Sequence, residues 1–289
     1  MKLIPRFTYH RPDSLDEACS LMEQLTSVKA IAGGTDLLVQ IKDGLPAPKH
    51  VIDLTVIEEL HHIDEDNESI IIGATITLAD IIKSRVIADN APVLVKAANL
   101  VGSPQIRNVG TLGGNLCNAS PAADLVPPLL ALDAKLKILS RDATRSVPLN
   151  EFFLGPGQSV LRRNELVSQI RIPKKAEHTG TSFLKLGRRK TFTLSVVTAA
   201  ACVELKDKML KNVRIALGAV APTPIRAWRT EKFLIGQKIS DKLVDGAAEL
   251  AKTEVAPITD VRASAEYRRE MSGALVSQGI LNAASEVEF

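Results

Sequence analysis

Aromatic side chains are scarce: one Trp, two Tyr and seven Phe, 3% of the 289 residues. So few rings make no base-stacking platform, and a net charge of +3 spread over scattered Lys and Arg makes no basic stripe, so no nucleic-acid partner is expected. Cysteine is scarce too. Cys19, Cys117 and Cys202 stand far apart, without a C-x-x-C pair or a His at ligand spacing, which argues against a disulfide framework or a zinc site. Three thiols also fall short of the four that usually hold an iron–sulfur cluster. No apolar run nears the ~18 residues that cross a bilayer, and the opening Met1–Arg6 is unlike a secretory signal. No membrane span is expected, and the cytoplasm is the expected location. The sequence has no G-x-x-x-x-G-K-[ST], no G-x-G-x-x-G and no Ser, His and Asp set singled out by spacing. A nucleotide hydrolase and a Rossmann dinucleotide fold are both disfavoured.

What is present is an ordinary globular composition, 45% hydrophobic and 24% charged, over a length sufficient for two domains. Its organising stretch is 107–124, with glycines at 110, 113 and 114, hydrogen-bonding side chains at Thr111, Asn115, Asn118 and Ser120, and a closing Asp124. With Val109 and Leu112 as its apolar anchors, the stretch reads as poor core material. It can serve as a cradle where a ligand meets bare backbone N–H groups. The competing reading is a Gly-Asn turn between strands. A second loop, 31–38, pairs Gly33 and Gly34 with Thr35 and Asp36 after a short apolar run. Two such loops far apart in sequence suggest one site.

In chain order, Ser14 and Glu17 make a capping box for a helix over 14–26. The run 29–32 reads as a strand delivering the first glycine loop, and 51–54 as the next strand. The first ~55 residues therefore read as a small β-α-β unit with a phosphate-sized loop after its first strand. His61 and His62, beside Asp64, Glu65 and Asp66, fit a polar hairpin tip better than a metal site, because adjacent side chains on an extended chain point apart. A β-branched strand at 69–74 precedes helices at 77–82 and 92–97, with Thr77 and Asn90 as expected caps. The prolines of 125–132 favour the first turn of another helix. Strand patterns follow at 135–139 and 166–172. The polar stretch 174–180 is the expected domain boundary. Beyond it come three β-rich runs (182–186, 195–205, 213–220), then helices near 230–234, 240–252 and from 263 onward. That order suggests an antiparallel sheet with helices on one face.

The segments Ala32-Gly33-Gly34-Thr35-Asp36-Leu37 and Gly110-Thr111-Leu112-Gly113-Gly114-Asn115, with Ser120, Pro121 and Asp124, resemble the two FAD-binding segments of the molybdenum hydroxylase flavoproteins, the medium subunits of the carbon monoxide dehydrogenase and xanthine dehydrogenase family. The resemblance runs through Phe7–Pro12, 104–108, 170–173 and Glu266-Tyr267-Arg268. It implies an α+β fold: a two-part FAD-binding domain over 1–176 (1–55 and 56–176), then a C-terminal flavoprotein domain over 177–289. It implies that FAD is held by Ile31, Ala32, Gly33, Gly34, Thr35, Asp36 and Leu37 and by Thr111, Gly113, Gly114, Asn115 and Asn118. Asp124 would face the ribityl or ring side, with Val167 and Lys185 near the isoalloxazine. Phe192 and Thr193 stand where some relatives place an aromatic against the ring.

On its own residues, Lys185 is equally readable as a solvated strand charge. Arg188, Arg189 and Lys190 read as a surface or interface patch, and Arg107 either steers a phosphate or pairs with a carboxylate. The resemblance further implies a heteromeric oxidoreductase, expected as a dimer of heterotrimers. A large subunit would carry the molybdenum cofactor, a small one two 2Fe-2S clusters, and this chain's FAD would pass electrons to an acceptor. Two alternatives stay open: a self-sufficient reductase resembling UDP-N-acetylenolpyruvoylglucosamine reductase, and a scaffold subunit without flavin.

Overall fold

A computed structural model describes residues 4–189, 192–207 and 209–287. The first unit holds β1 (Thr8–His10), α1 (Leu15–Gln24), β2 (Val28–Ile31), α2 (Leu37–Lys42) and β3 (His50–Asp53). Its three strands form a parallel sheet in the order β1-β3-β2. The glycine loop therefore follows the second strand of the chain, not the first, because the segment at Thr8–His10 also pairs. Helix α1 starts where Ser14 accepts from the Glu17 amide at 3.3 Å. The Glu17 carboxylate reaches past Ser14 to the Asp13 amide, so the expected box is displaced by one residue.

The second unit begins with the hairpin β4 (Ile63–Glu65) and β5 (Ser69–Gly73), whose turn lies at 66–68. His61 and His62 precede the hairpin instead of capping it, and His61 lies 3.9 Å from Asp80. Five short helices follow: α3 (Leu78–Lys83), α4 (Arg85–Asn90), α5 (Pro92–Asn99), α6 (Pro104–Arg107) and α7 (Leu112–Cys117). Thr77 caps α3 in a full capping box. Asn90 caps nothing; it closes α4, and Pro92 sets the first turn of α5. After α8 (Val126–Ala131) the chain forms β6 (Lys135–Leu139), β7 (Thr144–Pro148), the small hairpin β8 (Phe153–Gly155) and β9 (Gln158–Ser159), and β10 (Leu166–Pro173). A five-stranded sheet in the order β4-β5-β10-β6-β7 results.

The last unit is an antiparallel sheet of β11 (Thr179–Gly187), β12 (Ser195–Lys206), β13 (Met209–Gly218) and β14 (Ile225–Arg226), then α9 (Trp228–Leu234), α10 (Asp241–Lys252) and α11 (Ala265–Ser285). Helices were expected on one face of this sheet, yet both faces are covered. Val197, Ala199, Ala201 and Val203 of β12 pack with Val244, Ala247, Val276 and Ile280 of α10 and α11. The alternate residues Ala200 and Cys202, with Phe183 and Ala216, belong to the core that also holds Leu94, Leu129 and Leu130 of α5 and α8. Two-sided burial explains why β12 reads as a continuous apolar run and not as an alternating one. The Arg226 guanidinium pins the same junction, donating to Glu231 at 2.6 and 2.7 Å, to Asp133 at 2.7 Å and to the Leu130 carbonyl at 3.1 Å.

Candidate functional site

The first glycine loop leaves the carboxyl end of β2 within a parallel sheet, where open α/β sheets commonly hold ligands. The second runs from α6 into α7. They meet directly, since a Cβ on Gly33 would lie 1.9 Å from the Val109 carbonyl oxygen. A hydrogen bond from Gln40 Nε2 to Asn118 Oδ1 at 2.8 Å ties them again, on the cleft wall. Between the two units opens a cleft of about 660 Å³, within the range of small-molecule sites. It is lined by Ile31, Ala32, Gly33, Gly34, Thr35, Asp36 and Leu37 on one side, and by Thr111, Gly113, Gly114, Asn115, Asn118 and Val167 on the other.

The two loops contribute differently. In the second, the amides are already used: Leu112 donates to the Ile76 carbonyl at 3.0 Å, Gly113 to that of Ala74 at 2.9 Å, and Asn115 to that of Thr111 at 3.0 Å, while Gly114 donates to the Thr111 hydroxyl at 3.0 Å. The expected row of bare donors is therefore absent there, and Leu112 and Leu116 are fully buried, which makes the stretch part of the core after all. The first loop supplies the donors. Among the described residues, the amides of Gly33, Gly34, Thr35 and Asp36 donate no hydrogen bond, leaving successive N–H groups available to an anion such as a diphosphate. Gly34 alone of the loop glycines has a left-handed φ, +67°.

Two further observations concern residues of the cleft wall. Asn115 Oδ1 is buried without a hydrogen-bond partner, and an orphaned acceptor of this kind costs about 1–3 kcal/mol unless a donor reaches it. A hydroxyl or imide of a bound ligand is such a donor. A Cβ on Gly114 would touch only Thr111 Oγ1, at 2.9 Å, and otherwise meet open space, whereas one on Gly113 would strike the Ala74 carbonyl oxygen at 2.6 Å. Gly113 is thus small for packing and Gly114 for access. The Asp36 carboxyl, at the start of α2, makes no cap hydrogen bond, and although the residue is exposed, partial desolvation raises its pKa.

Asp124 and Lys185 are brought together, but away from the cleft lining. Lys185 Nζ donates to Asp124 at 2.6 Å and to the Leu100 carbonyl at 2.9 Å, next to the cleft residue Val101. The Ser195 hydroxyl donates to the other Asp124 oxygen. Both charged side chains are buried, so Lys185 is not a solvated strand charge. Burial raises the Asp124 carboxyl above its usual range, against the pull of the Lys185 ammonium and the Ser195 hydroxyl. Arg107 donates to the Val101 carbonyl at 3.0 Å and makes no ion pair with a carboxylate among the described residues. Phe192 is 58% exposed. Arg188 donates to the Val261 carbonyl at 3.1 Å, and Lys190 lies outside the described residues.

Sequence reasoning missed the wall made by the β8–β9 hairpin and the segment after it. Leu154, Gln158, Arg162 and Arg163 line the cleft, and the Gly157 amide fastens the hairpin to the Ala119 carbonyl at 2.9 Å. The sequence signals for it were the Gly155-Pro156-Gly157 turn and the Arg162-Arg163 pair. Among the described residues, no cluster of three or more His, Cys, Asp or Glu side chains could hold a metal, and no helix is long and apolar enough to cross a membrane.

Comparison with known proteins agrees with this geometry. Residues 5–175 match the family model described as the FAD binding domain in molybdopterin dehydrogenase, and residues 182–283 match that of the CO dehydrogenase flavoprotein C-terminal domain. The chain is 36% identical over 281 residues to the carbon monoxide dehydrogenase medium chain of Hydrogenophaga pseudoflava, covering 97% of each. It is 32% identical over 287 residues to the xanthine dehydrogenase FAD-binding subunit of Escherichia coli O157:H7, covering 97% of this chain and 98% of the relative. A solved structure of carbon monoxide dehydrogenase from Hydrogenophaga pseudoflava superposes with a TM-score of 0.97 at 35% identity, over 99% of this chain and 100% of that one. Quinoline 2-oxidoreductase from Pseudomonas putida 86 gives 0.93 at 31% identity, over 98% and 99%. With unclaimed amides at Gly33 to Asp36 and an open face at Gly114 on a cleft within the part that matches a FAD-binding domain, the chain belongs to the family of FAD-binding subunits of the molybdenum hydroxylases.

Proposed function

We propose that this chain is the electron-transfer subunit of a heteromeric molybdenum-containing dehydrogenase. It would stand between a small partner carrying 2Fe-2S clusters and an external acceptor, while a large partner with the molybdenum cofactor converts the substrate. The observation that carries the reading is the row of free amides from Gly33 to Asp36 on a cleft whose other wall is the second glycine loop. In this reading Ile31 to Leu37 and Thr111, Gly113, Gly114, Asn115 and Asn118 hold FAD, Val167 bounds the same cleft, and Asp124 with Lys185 sets the field beside it. Bound FAD supplies a ring able to take up and release electrons.

The chain's own work is to bind and orient. The Gly33 to Asp36 amides meet the diphosphate, Asn115 accepts from a hydroxyl or imide, and the buried Lys185–Asp124 pair keeps a fixed dipole near Val101. None of these groups needs to move a proton. Relatives named as medium or FAD-binding subunits span nearly the whole chain, which does not favour a self-sufficient reductase. A cytoplasmic dimer of heterotrimers completes the proposal. Co-purification from the native host tests it: the chain should emerge with one iron–sulfur and one molybdenum protein and a flavin absorption band. Isolation as a catalytically complete homo-oligomer, or without flavin, would overturn it.

A further inference from the structure

The segment Glu266-Tyr267-Arg268 carries part of the family resemblance, yet none of its residues lines the cleft. Arg268 is 3% exposed and lies near the N-terminus of α11, where the helix dipole disfavours a cation. A buried guanidinium at such a place must be held by other partners. It donates through Nη1 to the Val196 carbonyl at 3.0 Å and to the Ala219 carbonyl at 2.8 Å, and through Nη2 to Asp260 at 2.7 Å. Val196 lies at the start of β12 and Ala219 directly follows β13, so one nitrogen bridges two neighbouring strands at the end where both leave the sheet. The next bonds lead across the domain junction. Ser195, beside Val196, donates its hydroxyl to Asp124, and the Ala219 amide donates to the Pro121 carbonyl at 2.8 Å. Both strand ends held by Arg268 thus touch one segment, 120–124, which carries the carboxylate paired with Lys185. Ala219 has a left-handed φ of +63°, a conformation that a residue with a Cβ keeps only where its surroundings hold it.

We propose that Arg268 is a positioning residue: it clamps the ends of β12 and β13, and through Ser195 and Ala219 it fixes the Asp124 carboxylate beside the flavin. The proposal rests on the flavin reading above and extends it from the residues that meet the ligand to one that places them. Arginine suits the task because its rigid planar fork fixes several donor directions at once, which the ammonium of a lysine does not. Asp260, the far anchor, stays satisfied without Arg268, since Arg262 donates to it through its amide and its guanidinium, both at 2.8 Å. Removing the Arg268 guanidinium therefore loosens the strand ends without stranding a buried charge. The effect belongs to the Asp124 side of the site, because the Gly33 to Asp36 amides lie on the first unit and share none of these bonds.

The test uses the full chain freed of flavin, with FAD and ADP as separate probes; ADP has the diphosphate but neither the ribityl chain nor the ring. Arg268→Met should weaken FAD by about tenfold, as the loss of one well-placed hydrogen bond does, and leave ADP unchanged. Ser195→Ala, which cuts one arm and leaves α11 intact, should reproduce part of the FAD loss, and Arg268→Lys should lose less than Arg268→Met. The visible absorption of the bound flavin should shift in Arg268→Met and in Ser195→Ala. In a Lys185→Met/Asp124→Ala background, where the placed pair is gone, Arg268→Met should cause no further loss of FAD. That non-additivity separates action through Asp124 from general loosening. Parental FAD affinity in Arg268→Met, or losses that multiply in the combined variant, overturns the proposal and leaves the flavin reading standing. Loss of ADP in step with FAD in both Arg268→Met and Arg268→Lys overturns it too, because Arg268 then holds the fold as a whole. A parent chain that binds neither FAD nor ADP brings down the flavin reading and the proposal together.

Discussion

Gly33 and Val109 touch through their backbones: a single methyl group on Gly33 would come within 1.9 Å of the Val109 carbonyl oxygen. The two loops that flank the cleft are thus locked to one another by the absence of a side chain. Gly114, by contrast, has room in front of it. Glycines alike in sequence therefore do different work, one in packing and one in access.

That difference is measurable. Gly33→Ala should destabilise the fold by about 1–3 kcal/mol or more, as overpacked sites do, and lower the urea midpoint even without ligand. Gly114→Glu should move the midpoint less, by what it costs to displace the Thr111 hydroxyl 2.9 Å from the new Cβ, and strike binding instead. At roughly 5 Å and an effective dielectric near 20, one phosphate charge repels a carboxylate by about 3 kcal/mol, which is on the order of a hundredfold in FAD affinity. Leu45→Glu, at a side chain 55% exposed in a surface turn, is the control and should change neither quantity. Folded Gly114→Glu protein with parental affinity would take the second loop out of the site.

Lys185 and Asp124 neutralise each other in a buried setting. Lys185→Met should cost about 3–5 kcal/mol, because it leaves a buried carboxylate without its cation. Adding Asp124→Asn should recover most of that loss, since Asn keeps an acceptor for the Ser195 hydroxyl. Equilibrium unfolding of the two variants reads this out. Equal destabilisation of single and double variants would mean that packing, not charge, holds the pair.

Asp36 gives a pH dependence of definite sign. Asp36 keeps an exposed surface, yet partial desolvation by its neighbours raises its folded-state pKa above the unfolded value, modestly and with no ion pair to offset it. Above the folded pKa the carboxylate is charged in both states, and desolvation penalises the folded one. As pH falls through the folded pKa the native state takes up the proton first, and below the unfolded pKa the penalty is gone. Asp36→Asn should therefore raise the thermal midpoint at pH 7, and the gain should shrink to nothing as the carboxylate range is passed on the way down. A gain that persists unchanged into acid would assign it to a cause other than charge.

Much of this was legible in the residues. The glycine loops declared themselves because Gly, Thr, Asn and Asp together make poor core and good hydrogen-bonding surface, and helix α3 could be placed from Thr77 and Asp80 alone. Other features depend on tertiary neighbours. Val109 explains Gly33 only once the loops have met. Asp124 finds Lys185 across 61 positions, and on sequence alone the lysine reads equally well as an exposed strand charge. The β8–β9 hairpin is too short for a periodic signal, so the wall bearing Arg162 and Arg163 went unread. The organising stretch misled in one respect: Leu116 shares a buried face with Leu112, four residues apart on a helical turn that the glycines disguise.

The sheet of β11 to β14 is covered on both faces, and this bears on how the protein can be taken apart. Because Ala200, Cys202 and Ala216 complete a core begun by α5 and α8, residues from Thr179 onward are not a detachable module. Removing them would strip an apolar floor from the remainder and take Lys185 from Asp124. A chain cut at the polar connection after Pro173 would lose its shape before it lost any particular activity. The two parts hold together, and come apart, as one object.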